Sequence, residues 1–165
     1  MSTRCGSVDP GILIHLQRRH GLTFEELDHA LNHTSGLLGV SGVSPNLAQI
    51  EKAAARGNER ARLAFDMFAD RVRGAVASLA ATLGGLDALL FTDRIGEGSP
   101  ALRAAVCAGM EFLGLSLDPA RNRRPGSDAD ISRPGFPVRI LVIRTREEHM
   151  VAAEARRVLR QRRPE

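Results

Sequence analysis

The sequence has no tryptophan and no tyrosine, two cysteines, and a single lysine, Lys52, in 165 residues. Without Trp or Tyr it lacks the broad aromatic platforms on which single-stranded bases stack. Cys5 and Cys107 stand about a hundred residues apart with no Cys-x-x-Cys pair and no Cys/His spacing, which argues against a disulfide scaffold and a structural zinc site. They are expected to be buried or incidental thiols. No run of about 18 apolar residues occurs, so no membrane-spanning helix is expected. The opening Met1-Ser-Thr-Arg-Cys-Gly6 has no apolar signal-peptide stretch, which gives the expectation of a cytoplasmic chain.

What is present, 43% hydrophobic and 25% charged residues, fits one soluble globular domain with one core. The formal net charge of +4 arises mostly near the end. From Pro119 onward Arg121, Arg123, Arg124, Arg133, Arg139, Arg144, Arg146, Arg156, Arg157, Arg160, Arg162 and Arg163 face six acids. Phosphate attraction without a reading element is a generic property, so nucleic acid is not an expected partner.

Asp9-Pro10-Gly11 opens an apolar-periodic helix that Gly21 stops. Thr23-Phe-Glu-Glu26 is a capping-box pattern for a second helix through about Asn32. The stretch Ser35 to Ser44 is too glycine-rich for a stable helix and too apolar for a solvated loop, implying tight backbone against something buried. Residues 46 to 56 predict a short helix, and 59 to 83 a long one with the stripe Ala61, Phe65, Phe68, Val72, Val76, Leu79 and Leu83. Met67 and the Phe residues here are expected to be core. Asp87 to Thr92 suits a buried strand, followed by a Gly-containing loop at 93 to 98 and a helix from Ser99-Pro100. Asp118 to Pro134 reads as a polar surface excursion. Val138 to Ile143 is a second strand, and Thr145 is expected to cap a last helix from Glu147 to about Arg160. Two strands cannot satisfy their backbone groups inside a core. Further strands must come from weaker segments such as 113 to 117 and 132 to 136, from a partner chain, or from a longer protein of which this is a piece.

Strand, glycine loop and capped helix at 87 to 113 form a natural phosphate site, because free amides at a helix start favour anions. Glycines after strands are also common punctuation, and Arg94 suits either a phosphate or solvent. Glu147 and Glu148 follow the second strand in a first helical turn, where they serve the dipole or a magnesium ion. His29 and His33 stand four apart but lack the further ligands of a metal site. Cys107 has no histidine nearby in sequence and is not expected to be a nucleophile. Arg4, between Thr3 and Cys5, carries no signal from chemistry alone.

Taken in order, Met1-Ser-Thr-Arg-Cys-Gly-Ser-Val-Asp-Pro10, Ser35-Gly-Leu-Leu-Gly-Val-Ser-Gly42, Gly57-Asn-Glu-Arg-Ala61, Leu86-Asp-Ala-Leu-Leu-Phe-Thr92, Ile95-Gly-Glu97, Leu117-Asp-Pro119, Asp130-Ile-Ser132 and Leu141-Val-Ile143 with Thr145 and Glu147-Glu148 resemble the C-terminal part of acetate kinases. The resemblance covers nearly the whole chain. It implies an α/β fold: an incomplete ribonuclease-H-like domain of the actin-like ATPase superfamily, helix-rich with a small mixed or parallel sheet. Residues 1–165 would then lack the family's N-terminal domain and the first strands of their own sheet.

The activity implied is transfer of the ATP γ-phosphoryl to acetate, giving acetyl phosphate and ADP with Mg2+. By resemblance, Arg4 is the catalytic arginine that steadies the transferring phosphoryl, a task suited to a permanently charged planar donor fork. Ile95, Gly96 and Glu97 match the nucleotide loop, Asn46 stands at a nucleotide-contacting position, and Glu147 matches the magnesium-associated carboxylate. Several positions depart from the family pattern. Pro45-Asn46-Leu47-Ala48-Gln49 replaces Ser-Asp-Met/Phe-Arg-Asp, Asp93-Arg94 replaces Gly-Gly or Ala-Gly, Gly98 stands for asparagine, and Arg144 and Arg146 stand for proline and asparagine. Side chains where backbone must approach closely reshape a phosphate path.

The resemblance places the acetate pocket, a catalytic aspartate and a histidine in a front half outside these residues. The expectation is therefore a truncated acetate-kinase-like phosphotransferase with little or no activity alone, because phosphoryl transfer depends on positioning. The alternative is a non-catalytic oligomerisation or interaction module, or half of a split acyl kinase. Expected partners are ATP or ADP and acetate, with a second copy of the chain or a missing N-terminal half, and no membrane.

Overall fold

Asp9 accepts a hydrogen bond from the Gly11 amide at 2.6 Å and Pro10 fills the first turn, so α1 (Pro10–His20) begins where its cap dictates and ends at left-handed Gly21. The capping box at Thr23 is complete. Glu26 N donates to the Thr23 hydroxyl at 3.2 Å and Thr23 N to the Glu26 carboxylate at 2.8 Å, opening α2 (Phe24–His33). The computed structural model describes residues 2–161, with side chains through Leu159. Met1, Arg162 and Arg163, and the side chain of Arg160, lie outside the described residues.

Where the sequence predicts no stable helix, Gly36–Ser41 forms a short one, α3. Two tertiary contacts explain the difference. The Arg60 guanidinium donates to the carbonyls of Val40 at 2.9 Å and Gly39 at 2.8 Å, satisfying carbonyls that a helix this short leaves without partners. A Cβ on Gly39 would sit 2.6 Å from the Thr34 carbonyl oxygen, so the position is closed to any other residue. Asn46 caps α4 (Leu47–Ala55) and Asn58 caps α5 (Glu59–Leu83).

Composition suggests one core; the contacts form two compact units, Met1–Gly85 with Ala105–Ala108, and Leu86–Ala104 with Gly109–Glu165. In the first unit α3 and α4 pack on α5, burying Leu37, Leu47, Ile50, Ala61, Ala64, Phe65 and Ala69. The stripe expected on α5 is buried only in its first half, for Leu79 and Leu83 are 61% and 72% exposed. Met67, expected in the core, is exposed. The small residues Ala64 and Ala69 are buried on this helix instead.

The second unit is built on a mixed three-stranded sheet in the order β1-β3-β2. β1 (Ala88–Phe91) runs parallel to β3 (Arg139–Val142), with Leu89 opposite Ile140 and Phe91 opposite Val142. β2 (Ala129–Asp130) is antiparallel to β3, and an isolated bridge joins Leu117 to Ser132. The polar 118–134 segment thus contributes one strand, with a helix, α8 (Pro119–Arg123), before it. The loop expected after β1 is a helical turn, α6 (Asp93–Gly98), followed by α7 (Pro100–Cys107) and a 3-10 turn at Glu111–Leu113. Phe91, Leu102, Met110, Leu115, Ile131, Val138, Ile140 and Val142 form this core. The last helix, α9 (Glu147–Gln161), has no buried side chain among those described. No helix among the described residues is long and apolar enough to cross a membrane.

Candidate functional site

β1 and β3 are parallel, so their carboxyl ends come together, and in open α/β sheets that edge is where ligands bind. Here it carries a hydrogen-bonded cluster. Thr92 and Thr145 hydroxyls lie 2.8 Å apart, the Asp93 amide donates to Thr145 Oγ1 at 2.8 Å, and the Thr145 amide donates to Glu97 Oε1 at 2.7 Å. Thr145 therefore does not cap α9 as expected. Its hydroxyl is taken by the segment after β1, 52 residues away, a partner that local sequence cannot reveal.

Gly96 is buried beneath the turn, and a Cβ there would lie 3.2 Å from the carbonyl carbon of Phe91. The turn is thus laid directly on the end of β1. Asp93 holds a left-handed φ of 63°, a conformation that glycine adopts freely and that aspartate tolerates at a cost of about 1 kcal/mol. The backbone keeps a glycine-like path at this position while presenting a carboxylate.

Of the sequence-predicted residues, Ile95, Gly96, Glu97 and Glu147 belong to the second unit, and Arg4 and Asn46 to the first. Ile95 is 37% exposed on α6 and Glu147 is exposed in the first turn of α9, two residues beyond Thr145. In the first unit, Arg4 lines a cavity of about 430 Å³ with Ser7, Thr34, Ser35, Arg71 and an apolar floor that includes Leu37. Among the described residues neither the Arg4 nor the Arg71 side chain has a hydrogen bond or ion pair. Two available guanidiniums over an apolar floor suit an organic anion. Asn46 does not line this cavity; its side chain accepts from Ala48 N at 2.9 Å as the cap of α4.

Among the described residues no three His, Cys, Asp or Glu side chains cluster to hold a metal. His29 and His33 are a ring pair at 5.5 Å with no third ligand. Cys107 is buried, Cys5 half-buried, and neither forms a disulfide. Glu147, exposed and followed in sequence by the exposed Glu148, has the donor chemistry for hydrated Mg2+ delivered with phosphates, since Mg2+ keeps several waters and takes only one or two protein carboxylates.

The connection from β3 to α9 is pinned by Asp128, itself at a left-handed φ of 54°. Its carboxylate accepts from the Arg146 guanidinium and, at 2.9 Å, from the Arg144 amide. The Arg146 hydrogen bond first, then the Arg144 amide, holds the Asp128 carboxyl below its ordinary 3.8. A carboxylate depressed on folding stabilises the fold above its unfolded value, and that contribution is lost as pH falls through the folded value. Asp128→Asn is therefore expected to flatten the fall of the thermal midpoint as pH drops below the ordinary carboxylate range, leaving the slope between about pH 6 and about pH 8 unaffected.

Residues 1–153 match the model of the acetokinase family. The chain belongs to this family. Acetate kinase of Trichormus variabilis is 47% identical over 154 residues, covering 93% of this chain and 38% of that protein. Among solved structures, Porphyromonas gingivalis acetate kinase superposes with a TM-score of 0.88 at 42% identity over 96% of this chain and 40% of that one. A propionate kinase from Francisella tularensis superposes at 0.83 with 35% identity, covering 92% and 38%. The chain thus spans about two fifths of the length of these acetokinase relatives.

Sequence reasoning missed two residues that support the α6 turn. Arg103 is fully buried and Asn122 is 4% exposed, and their side chains meet beneath α6. A partial signal existed, because Arg103 stands three residues before Val106 and beside Leu102 in α7, both apolar and both buried, on the inward side of that helix.

Proposed function

We propose that this chain supplies the nucleotide- and phosphoryl-binding part of an acetate-kinase reaction, ATP and acetate giving acetyl phosphate and ADP. It corresponds, in this reading, to the C-terminal part of its relatives. The observation that carries it is the junction at the carboxyl ends of the two parallel strands, where Glu97, Thr145 and the backbone at Asp93 and Gly96 are held in one hydrogen-bonded turn. Acetate is favoured because the curated relatives are named acetate kinases; a neighbour named propionate kinase leaves a close acyl variant.

Each residue has a chemical role. The α6 turn, with Ile95 as an exposed apolar contact and Gly96 as a backbone surface, receives the nucleotide. Glu97 fixes the Thr145 amide and so the start of the segment bearing Glu147. Asn46 contributes at the start of α4. Glu147 would hold the Mg2+ that accompanies the nucleotide, and the ion would supply neutralisation of phosphate charge. In the transfer an acetate oxygen bonds to the γ-phosphorus as its bond to the β,γ-bridging oxygen breaks, and ADP leaves. Arg4 donates to the equatorial oxygens, whose charge it stabilises without changing protonation.

Transfer by this chain alone is expected to be feeble, because the reaction depends almost wholly on positioning and the chain spans about two fifths of its relatives. Self-association in the cytoplasm belongs to the same reading. β1 is an edge strand with Leu90 54% exposed, and open edges favour pairing. The test is calorimetric titration with Mg-ADP after cooperative unfolding has been established. Saturable binding is expected, weakened about tenfold by Glu147→Ala and less than about threefold by Arg4→Ala, whose role lies in transfer. No heat from folded protein at millimolar Mg-ADP sinks the nucleotide reading.

A further inference from the structure

Arg103 is completely buried and sends its donors in two directions. Nη1 donates to the carbonyls of Gly96 at 2.6 Å and Glu97 at 2.8 Å. Nε donates to Asn122 Oδ1 at 2.7 Å and Nη2 to the Asn122 carbonyl at 2.9 Å, while Asn122 Nδ2 donates to the Pro100 carbonyl at 2.8 Å. The carbonyls of Gly96 and Glu97 lie in the last turn of α6, where a six-residue helix leaves acceptors unpaired. A guanidinium is taken out of water only where its donors are satisfied, and its planar fork then fixes the acceptors in direction as well as distance.

The consequence runs outward from the core. Fixing the Glu97 backbone sets where its carboxylate stands, and that carboxylate holds the Thr145 amide. Thr145 in turn holds Thr92 and the amide of Asp93. We infer that Arg103, braced by Asn122, is a positioning residue that sets the Gly96–Glu97 turn against Thr145 and thereby pre-organises the nucleotide site. This rests on the proposed nucleotide reading for its functional meaning, and on the hydrogen bonds alone for its geometry. Arg103 touches no reacting atom. Its effect passes through Glu97.

The test uses the full chain and two readouts, the Kd for Mg-ADP and hydrogen exchange at the Thr145 amide. Arg103→Lys keeps the charge but loses the fork. At a temperature where it remains folded it is expected to weaken Mg-ADP about tenfold and to speed Thr145 exchange about tenfold, with the amides of β3 unchanged. Glu97→Gln should loosen Thr145 by itself, and adding Arg103→Lys to it should have no further effect on that amide, because both act through one carboxylate. A purely structural arginine would lower the thermal midpoint with the Kd within about twofold and the two substitutions additive at Thr145. That result overturns the inference.

Should Arg103→Lys fail to fold, Asn122→Ala frees Nε and leaves the bonds to Gly96 and Glu97, and is expected to give about a threefold change in both readouts. No change in either overturns the inference. If the parent chain does not bind Mg-ADP, the nucleotide reading fails separately. Thr145 exchange then still decides whether Arg103 positions Glu97.

Discussion

Asp93→Gly is expected to bind Mg-ADP at least tenfold more tightly than the parent chain and to unfold at a slightly higher temperature. One effect acts on stability and the other on binding. The residue holds φ at 63°, where an aspartate pays roughly 1 kcal/mol that glycine does not, so the turn relaxes without moving. Its amide bond to Thr145 survives, because it uses only the backbone. The carboxylate, exposed at the mouth of the α6 turn, repels incoming phosphates. A phosphate charge brought to within about 5 Å of such a carboxylate, at an effective dielectric constant of about 20, would be repelled by roughly 3 kcal/mol, which solvent screening reduces to about half. Greater freedom of glycine in the unfolded chain offsets part of the stability gain, leaving about 0.5 kcal/mol. Calorimetry at two salt concentrations separates the contributions. A gain in affinity that shrinks with salt identifies the charge, and an unchanged Kd removes Asp93 from the phosphate path.

Gly96→Val is expected to have the opposite and larger effect. The first added carbon would lie 3.2 Å from the Phe91 carbonyl carbon and 3.4 Å from its Cα. Those atoms belong to β1, whose hydrogen bonds to β3 prevent them from yielding. The two γ-methyl groups add bulk in a buried position, an overpacking that costs about 2–3 kcal/mol. For a unit of this size that lowers the thermal midpoint by about 10–20 °C. The turn would have to lift off the strand, carrying Glu97 from Thr145, so Mg-ADP binding should become undetectable while the protein is still folded. Gly96→Ala, with one carbon, is the graded control. Binding retained in Gly96→Val would show that nucleotide recognition does not need this turn.

The two substitutions test opposite aspects of one segment, and they show how far local sequence reaches. Asp9 and Thr23 each announce a helix start because a cap and its amide are two or three residues apart. The long helix at 59–83 is likewise legible from periodicity. Periodicity could not tell that its second half stands open at Leu79 and Leu83, because burial depends on what packs there. Family resemblance marked Ile95, Gly96, Glu97 and Glu147 as a set. It had nothing to say about Arg103, whose role lies in whom it meets.

By itself, then, the sequence determined α1, α2, α4 and α5, the two strands β1 and β3 and the family resemblance, all of which rest on patterns within a few residues or on ordered motifs. Tertiary structure alone decided that Gly36–Ser41 is helical, that Thr145 serves Asp93 rather than α9, and that a buried arginine underlies the Gly96–Glu97 turn. The deciding bonds join residues 20, 52 and 19 positions apart, from Arg60 to Val40, Asp93 to Thr145 and Arg103 to Asn122. A donor's chemistry is written in its own residue. Which acceptor it finds is set by the packing that brings distant chain together, and that packing minimises unsatisfied polar groups over the whole unit at once.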